Sequence, residues 1–391
     1  MRERVELGLE VPAEIAGDVA AKLHYVSDGI LAPALDPNDR SAVTFELLEE
    51  SRGDLERIAT SIKRLAAGMC ANYRNVPVRV LQRVGDGSFA YEDDPHPELL
   101  RRGDLIEFGQ GRFGFGDCMT RLLRRLDELC LDYAAEYDAA HRQFPSLIGA
   151  DAMDTCRYLT SFPHSLCLVA HLREDLDGIE AFAREAHWEG KRLVMPRESL
   201  DDVKVLLAPS VCFHCYAGLA GTRLDGPLTV TAIGKCFRYE SGNLTGLERL
   251  WDFTMREVIF VGERDFVLGG RDTSVASVVR LLDLLGLQFT IETASDPFFI
   301  DGFATQTTFQ KLFDLKYEIR ATLPYAGRTL AVGSFNYHQD FFGRAFGIST
   351  AEGGPAHTGC VGFGLERLAL AVVAQHGVNP DGWPDALLDR T

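Results

Sequence analysis

The chain has 391 residues, and its 57 acidic against 40 basic side chains leave a formal net charge of −17. That balance works against broad nucleic-acid binding, which depends on neutralising phosphates. An apolar share of 46% argues against disorder, and no run approaches the ~18 uninterrupted apolar residues of a membrane helix.

The length predicts two or three domains. The charged start, MRERVELGLE, has no apolar signal-peptide core, so a cytoplasmic location is expected. VELGLEV alternates as a strand, Pro12–Leu23 reads as a helix, and SAVTFELLEE reads as a second strand. Leu55, Ile58, Ile62 and Leu65 recur at helical spacing. VPVRVLQRV is a third strand, and YEDDPHPELL, with two prolines, reads as a linker. Residues 1–95 are therefore expected to form a small α+β accessory domain and 96–391 a larger one.

In the larger part, Leu122, Leu126, Leu129 and Tyr133 share one helix face, and that helix is expected to run to about Gln143, before Pro145. Strands then dominate: KRLVMP, LTVTAIGKCFRYE, REVIFVG, LQFTIET, KYEIRATLP and TLAVGSFNY. Helices are expected near Asp175–Glu189, Ser274–Leu285 and Gly364–Gln375. Most strands are not separated by single helices, so a mixed or mainly antiparallel sheet flanked by helices, an α+β fold class, is expected rather than a doubly wound parallel one.

Gly109, Gly111 and Gly114 satisfy GxGxxG, but the acidic partner that a dinucleotide site needs ~20 residues on falls inside a helix. The triplet reads as a flexible turn. Nine unevenly spaced cysteines do not form a disulfide framework. Cys212 and Cys215 make one CxxC without the second pair a zinc ribbon needs.

The informative stretch is 236–261, CFRYESGNLTGLERLWDFTMREVIFV: strand, polar loop, strand. Arg238 and Glu240, two apart, share a strand face; Arg249 and Phe253 stand four apart beyond the loop. Arginine can hold a phosphate bidentately and an aromatic can stack on a purine. A second stretch, GCVGFGLERLALAV, places Arg367 near the start of an apolar helix behind Gly362 and Gly364.

This pairing resembles motifs 2 and 3 of the class II aminoacyl-tRNA synthetases: Phe237-Arg238-Tyr239-Glu240, a loop, Arg249 and Phe253, then Gly364-Leu365-Glu366-Arg367. The resemblance implies that Arg238 binds the α-phosphate, that Phe253 and Arg367 sandwich adenine, and that Arg249 and Arg367 hold the γ-phosphate. The helix ending near Phe144-Pro145 stands where motif 1 belongs, which implies a homodimer.

Within that frame the sequence is similar to the methanogen-type seryl-tRNA synthetases and, more specifically, to the amino acid:[carrier protein] ligases. The shared blocks are SFPHS, DPFF at 296–299, KYEIRATLP, SFNYHQDFFG and AHTGCVGFGLERLAL. The resemblance implies ATP and Mg2+, and a substrate-amine-binding Zn2+ on Cys212 (or Cys215, which fits less well), Glu257 and Cys360. It also implies activation of glycine or alanine and transfer to the phosphopantetheine thiol of a carrier protein, with Glu240, Ser334 and Asn336 at the substrate. His214 and His338 and the remaining cysteines read as pocket or core residues.

Two features depart from the family. The N-terminal ~95 residues exceed the compact ligases. The strand before motif 3 lacks the usual acidic magnesium ligand, for which Glu318 is the substitute on offer. A positive patch from Arg101, Arg102, Arg121, Arg124 and Arg125 is expected near the site mouth, for the carrier. The alternatives are a seryl-tRNA synthetase, which an acidic N-terminal segment disfavours, and a synthetase-like regulatory subunit, which intact motif arginines disfavour.

Overall fold

The computed structural model describes residues 2–244, 246–296, 298 and 303–388. Of the DPFF block, Pro297 and Phe299 lie outside the described residues.

The chain opens with β1 (Arg2–Glu6), α1 (Ala16–Leu23), β2 (Ile30–Asp36), β3 (Asp39–Leu47) and α2 (Leu55–Cys70). The three strands form an antiparallel sheet in the order β1-β3-β2. The stripe expected on α2 is buried: Ile58 and Ile62 pack with Val19, Leu23, Val43 and Phe45 in a core of their own. The first strand ends earlier than its alternation suggests, because Gly8 turns the chain at a φ of 76°. β2 had no clear strand pattern. Its Pro33 sits in a register irregularity between Leu31 and Ala34, a place where a missing N–H is tolerated.

Then follow β4 (Val80–Val84), α3 (Asp117–Ala135), β5 (Ala140–Gln143), α4 (Cys212–Gly218), β6 (Leu228–Phe237) and β7 (Asp252–Gly262). They are succeeded by α5 (Arg264–Leu284), β8 (Phe289–Thr293), α6 (Phe303–Leu312), β9 (Lys316–Leu323), β10 (Arg328–Gln339), β11 (His357–Gly364) and α7 (Leu365–His376). Eight strands make one sheet in the order β4-β8-β9-β10-β11-β7-β6-β5, antiparallel except for the parallel pair β5 and β6. The expected mainly antiparallel α+β architecture is present.

Several expected boundaries are corrected. β4, expected with the N-terminal segment, hydrogen-bonds to β8 at the edge of the large sheet. The predicted linker holds a short helix, His96–Arg102. The helix expected to reach Gln143 stops at Ala135; Asp138 takes a φ of 49°, and residues 140–143 become the exposed edge strand β5. Its fully buried stripe ends at Tyr133 and Ala134; Tyr137 still packs on Phe260, but the left-handed backbone of Asp138 turns the chain out of the helix. The helix expected over 175–189 spans Leu176–Glu185 and gives way to a hairpin, His187–Glu189 with Arg192–Val194. The glycine triplet lies in a hairpin, Leu105–Gly109 with Arg112–Phe115, not between a strand and a phosphate-binding helix.

Helices α3, α5 and α7 cover one face of the large sheet, where Val258, Phe260, Ile319, Phe335 and Phe363 pack with Leu126, Val278 and Leu368. Arg256 points to this side and bonds Asp127 of α3 at 2.7 and 2.9 Å, pinning the helix to β7. The alternation of β7 turns Phe253, Met255 and Glu257 to the opposite face, where the site lies.

Candidate active site

Directly opposed residues of antiparallel strands project from the same sheet face. One such row runs Ala232, Glu257, Gly362, Ser334, Glu318 and Glu292 across β6, β7, β11, β10, β9 and β8. The adjacent row on that face places Cys360, Asn336 and Lys316 side by side. Residues far apart in sequence thus meet on one surface because the register aligns them.

At one end of this surface stand the arginines and the aromatic. Cys236 pairs with Phe253, and the Arg238 N–H donates to the Trp251 carbonyl at 2.9 Å, continuing the ladder past the strand end. Arg238 Nε donates to the Pro209 carbonyl at 2.9 Å, and its guanidinium lies 5.3 Å from the Phe253 ring centroid. Arg249 is ion-paired to Glu240. Burial works to raise the Glu240 carboxyl, but Arg249, Arg367 and Arg238 outweigh it and hold it below the usual range. Arg367, in the first turn of α7, donates from Nε to the Glu248 carbonyl at 2.7 Å and from Nη1 to the Ala331 carbonyl at 3.1 Å. The structure therefore brings Arg238, Glu240, Arg249, Phe253 and Arg367 together around the 238–251 loop.

At the other end lies the sulfur cluster. Ligand atoms of Cys212, Glu257 and Cys360, all three buried, fall within 4.8 Å of one another. Cys212 opens α4; Cys360 and Glu257 come from neighbouring strands. Glu257 Oε1 accepts from Ser210 Oγ at 2.9 Å and from the Val211 N–H at 3.1 Å, while Oε2 is buried with no hydrogen-bond partner. Contact with Cys212, then burial and Glu257, push the Cys360 thiol well above its ordinary range. Two thiols and an orphaned carboxylate oxygen converging on one point are a donor set that suits a tetrahedral cation with one open position. Asn336 Nδ2 donates to Cys360 Sγ at 3.5 Å and to Ser334 Oγ at 3.0 Å, so both predicted substrate residues border the cluster. Cys215 lies one turn along α4 and is not in this donor set. Burial raises its thiol to about 12.

Other members of the site have contacts that the sequence did not assign. Ser210 orients Glu257. Glu366, only 2% exposed, accepts from the Thr254 N–H at 2.8 Å and from Thr254 Oγ1 at 2.8 Å, fixing the start of α7 to β7. Lys316 Nζ donates to Asp296 at 2.5 Å, and Gln310 Nε2 donates to the other Asp296 oxygen at 2.8 Å. Burial works to raise Asp296, but Lys316 and Gln310 outweigh it and hold it ionised below its usual range. His338 bonds Thr358 Oγ1 at 3.2 Å and Tyr216 Oη at 3.4 Å, and burial lowers it to about 4. Asp296, Lys316 and Glu366 all lie within sequence blocks already singled out, but only the register shows what they face.

Two expectations fare differently. Glu318 is bonded to Arg320 at 2.7 Å and lies 3.8 Å from Lys316, so in this structure its carboxylate is paired with cations of the protein. The arginines expected as a carrier-facing patch make local pairs: Arg101 with Glu98, Arg102 with Asp104, Arg121 with Asp117 and Arg125 with Glu128. Arg121, Arg124 and Arg125 lie on α3, which covers the sheet face opposite the site.

Known proteins resemble this chain in sequence and in fold. Residues 205–376 match the family model described as tRNA synthetase class II core domain (G, H, P, S and T). Amino acid–[acyl-carrier-protein] ligase 2 of Bradyrhizobium diazoefficiens is 34% identical over 256 residues, covering 63% of this chain and 73% of the relative. The type-2 serine–tRNA ligase of Methanopyrus kandleri is 28% identical over 333 residues, covering 80% of this chain and 63% of the relative. Among solved structures, M. kandleri SerRS in complex with A. aeolicus tRNASec superposes with a TM-score of 0.71 at 24% identity, covering 99% of this chain and 76% of that one. Seryl-tRNA synthetase from Pyrococcus horikoshii complexed with ATP gives 0.56 at 16% identity, covering 86% and 78%. These structural likenesses establish the fold. Among the described residues no helix is long and apolar enough to cross a membrane.

Proposed function

Because the chain belongs to the class II synthetase family, in the group that includes the amino acid–carrier-protein ligases, we propose that it activates glycine or alanine with ATP and passes it to the phosphopantetheine thiol of a carrier protein. The observation that carries this reading is the single sheet face that joins a phosphate-and-purine end to an amine-binding end. Phe253 and Glu257 are four residues apart on β7, roughly 13 Å along the strand, a span on the scale of an aminoacyl-adenylate.

In this reading ATP lies with its base against Phe253 and its phosphates among Arg238, Arg249 and Arg367. Arg249 exchanges its pairing with Glu240 for phosphate. A carboxylate oxygen of the amino acid attacks the α-phosphorus, the bond to the bridging oxygen breaks, and pyrophosphate leaves. Arg238 stabilises the charge that grows on the α-phosphoryl oxygens, and its bond to the Pro209 carbonyl fixes it in advance. The carrier sulfur then attacks the acyl carbonyl. The carbon–oxygen bond to the phosphate breaks, AMP departs with the electron pair, and the thiol proton passes to solvent.

Cys212, Glu257 and Cys360 would hold zinc, whose open position would take the substrate amine and so favour α-amino acids over hydroxy acids. Ser210 and Asn336 orient that donor set. Magnesium, which this reading brings in with ATP, would draw on Glu318 by exchange of that carboxylate's pairing with Arg320. The exposed edge β5 is the surface through which the homodimer would form.

A tRNA acceptor is the second reading, supported by the 80% of this chain that aligns with a type-2 serine–tRNA ligase. Against it, acidic residues outnumber basic ones 13 to 8 over residues 2–73. The test offers ATP, magnesium and labelled amino acids to the protein with holo-carrier protein and total tRNA side by side. Hydroxylamine-labile label on the carrier is the expected result. Label on tRNA would overturn the carrier reading, and absence of any amino acid-dependent pyrophosphate exchange would overturn activation itself.

A further inference from the structure

The N-terminal segment has no place in the chemistry just described, yet it touches the loop that carries it. The loop joining β6 to β7 holds Glu240 and Arg249 near its ends. Its middle is fastened to the end of α1. Asn243 Nδ2 donates to the Ala21 carbonyl at 2.8 Å, Ser241 Oγ donates to the His24 carbonyl at 3.2 Å, and Tyr25 Oη donates to the Tyr239 carbonyl at 3.3 Å. Between those anchors the packing is close: a Cβ on Gly242 would stand 2.2 Å from His24 Nδ1. Ser241 itself adopts a φ of 51°, a conformation that costs a non-glycine residue and persists only where its surroundings hold it.

A charge at the same junction fits this pattern. Lys22 is 3% exposed, and among the described residues no carboxylate lies within ion-pair distance of it. Its ammonium sits 5.2 Å from the centroid of Phe303, the first residue of α6, and that ring belongs to the N-terminal core. Asp18 lies one turn earlier on α1, and the charges of Glu240 and Arg249 act on the lysine across the junction. Burying an ammonium here is costly and is offset only where nearby groups stay in place.

Resting on the reading of this surface as an adenylating site, we propose that the N-terminal unit is a positioning clamp on the ATP loop rather than a docking module for the acceptor. The capping contacts on Ala21 and His24 hold the loop so that Arg249 and Glu240 meet the nucleotide without first being ordered. Loss of one or two such hydrogen bonds corresponds to a change of about 5–30-fold in the population of the ordered loop.

The experiment compares the full-length wild type with Asn243→Ala and Gly242→Ala. ATP binding is measured by calorimetry, and KM values come from pyrophosphate exchange and from carrier loading. Neither variant alters a charged group or a metal ligand. The expected result is ATP affinity 5–30-fold weaker, the KM for ATP raised to match, and the KM for the carrier unchanged, with unaltered melting of the sheet domain. A raised KM for the carrier with normal ATP binding would make the unit a docking module and overturn the proposal. So would ATP binding equal to wild type in both variants. If wild type binds ATP but exchanges no pyrophosphate with any amino acid, the adenylating reading fails, and the clamp is still decided by the ATP affinities. If wild type binds no ATP, both fail.

Discussion

Replacing Glu366 by alanine tests how the motif-3 helix is held to the motif-2 strand. The carboxylate is almost fully buried and accepts from both the N–H and the hydroxyl of Thr254, at 2.8 Å in each case. Lys235 stands 3.5 Å away, but its side chain is 43% exposed and adds little. Hydrogen bonds to a charged group contribute ~1.5–3 kcal/mol each, so alanine should cost about 3–5 kcal/mol, the stranded Thr254 N–H included. At ~2 °C per kcal/mol, the melting point should fall by about 6–10 °C. Glu366→Gln keeps one neutral acceptor for the N–H and should lose roughly half as much. Because Arg367 is the next residue and its own bonds reach the Glu248 and Ala331 carbonyls, its guanidinium should drift when the helix start loosens. The KM for ATP should therefore rise in the same order, alanine above glutamine. The assay is thermal unfolding alongside pyrophosphate exchange. A Glu366→Ala protein melting within 2 °C of wild type with unchanged KM would falsify the argument that this bond set fixes Arg367.

Three further outcomes are expected. The purified protein should carry about one zinc per chain by elemental analysis, and Cys360→Ser or Glu257→Gln should lose most of it; full retention in both would remove Cys212, Glu257 and Cys360 as the ligands. Methionine at Arg256 should cost about 3–5 kcal/mol by stranding Asp127, and Asp127→Leu in the same chain should restore most of it, as read from melting points. His338 is held neutral, with its folded pKa lowered by burial to about 4, below an unfolded value near 6.5. Its contribution to stability is therefore present above pH 6.5 and lost as pH falls from 6.5 towards 4, about 3 kcal/mol in all. The slope of melting point against pH in that window should flatten in His338→Gln, and an unchanged slope would count against the assignment.

The residues proposed for nucleotide and metal were legible in the linear chain wherever chemistry demands a fixed local spacing. Arg238 and Glu240 had to share a strand face, and Arg367 had to follow a glycine at a helix start. These are constraints of a few residues' reach, set by the twofold period of a strand and the geometry of a helix terminus. The α2 stripe was readable for the same reason: Ile58 and Ile62 recur at the helix period and are fully buried. Where the local signal was weak, expectation and structure parted. The polar residues of β5 give no alternation, because an exposed edge strand is held by its backbone bonds to β6 rather than by a buried face. β4 could not be assigned to its sheet, since its partner β8 lies some two hundred residues away.

The linear chain carries the available chemistry and the class of fold: which arginines, thiols and carboxylates exist, and that strands outnumber the helices needed to cross over between them. Which of these groups face one another is set only when the strands and helices pack. Register across six strands aligned Glu257, Ser334 and Glu318 in one row and Cys360, Asn336 and Lys316 in the next. It paired Glu318 with Arg320, and it set the end of α1 against the loop joining β6 to β7. Side-chain period is a property of each strand alone, whereas register and docking are fixed by the burial and hydrogen bonding of many strands at once, so no local pattern can carry them.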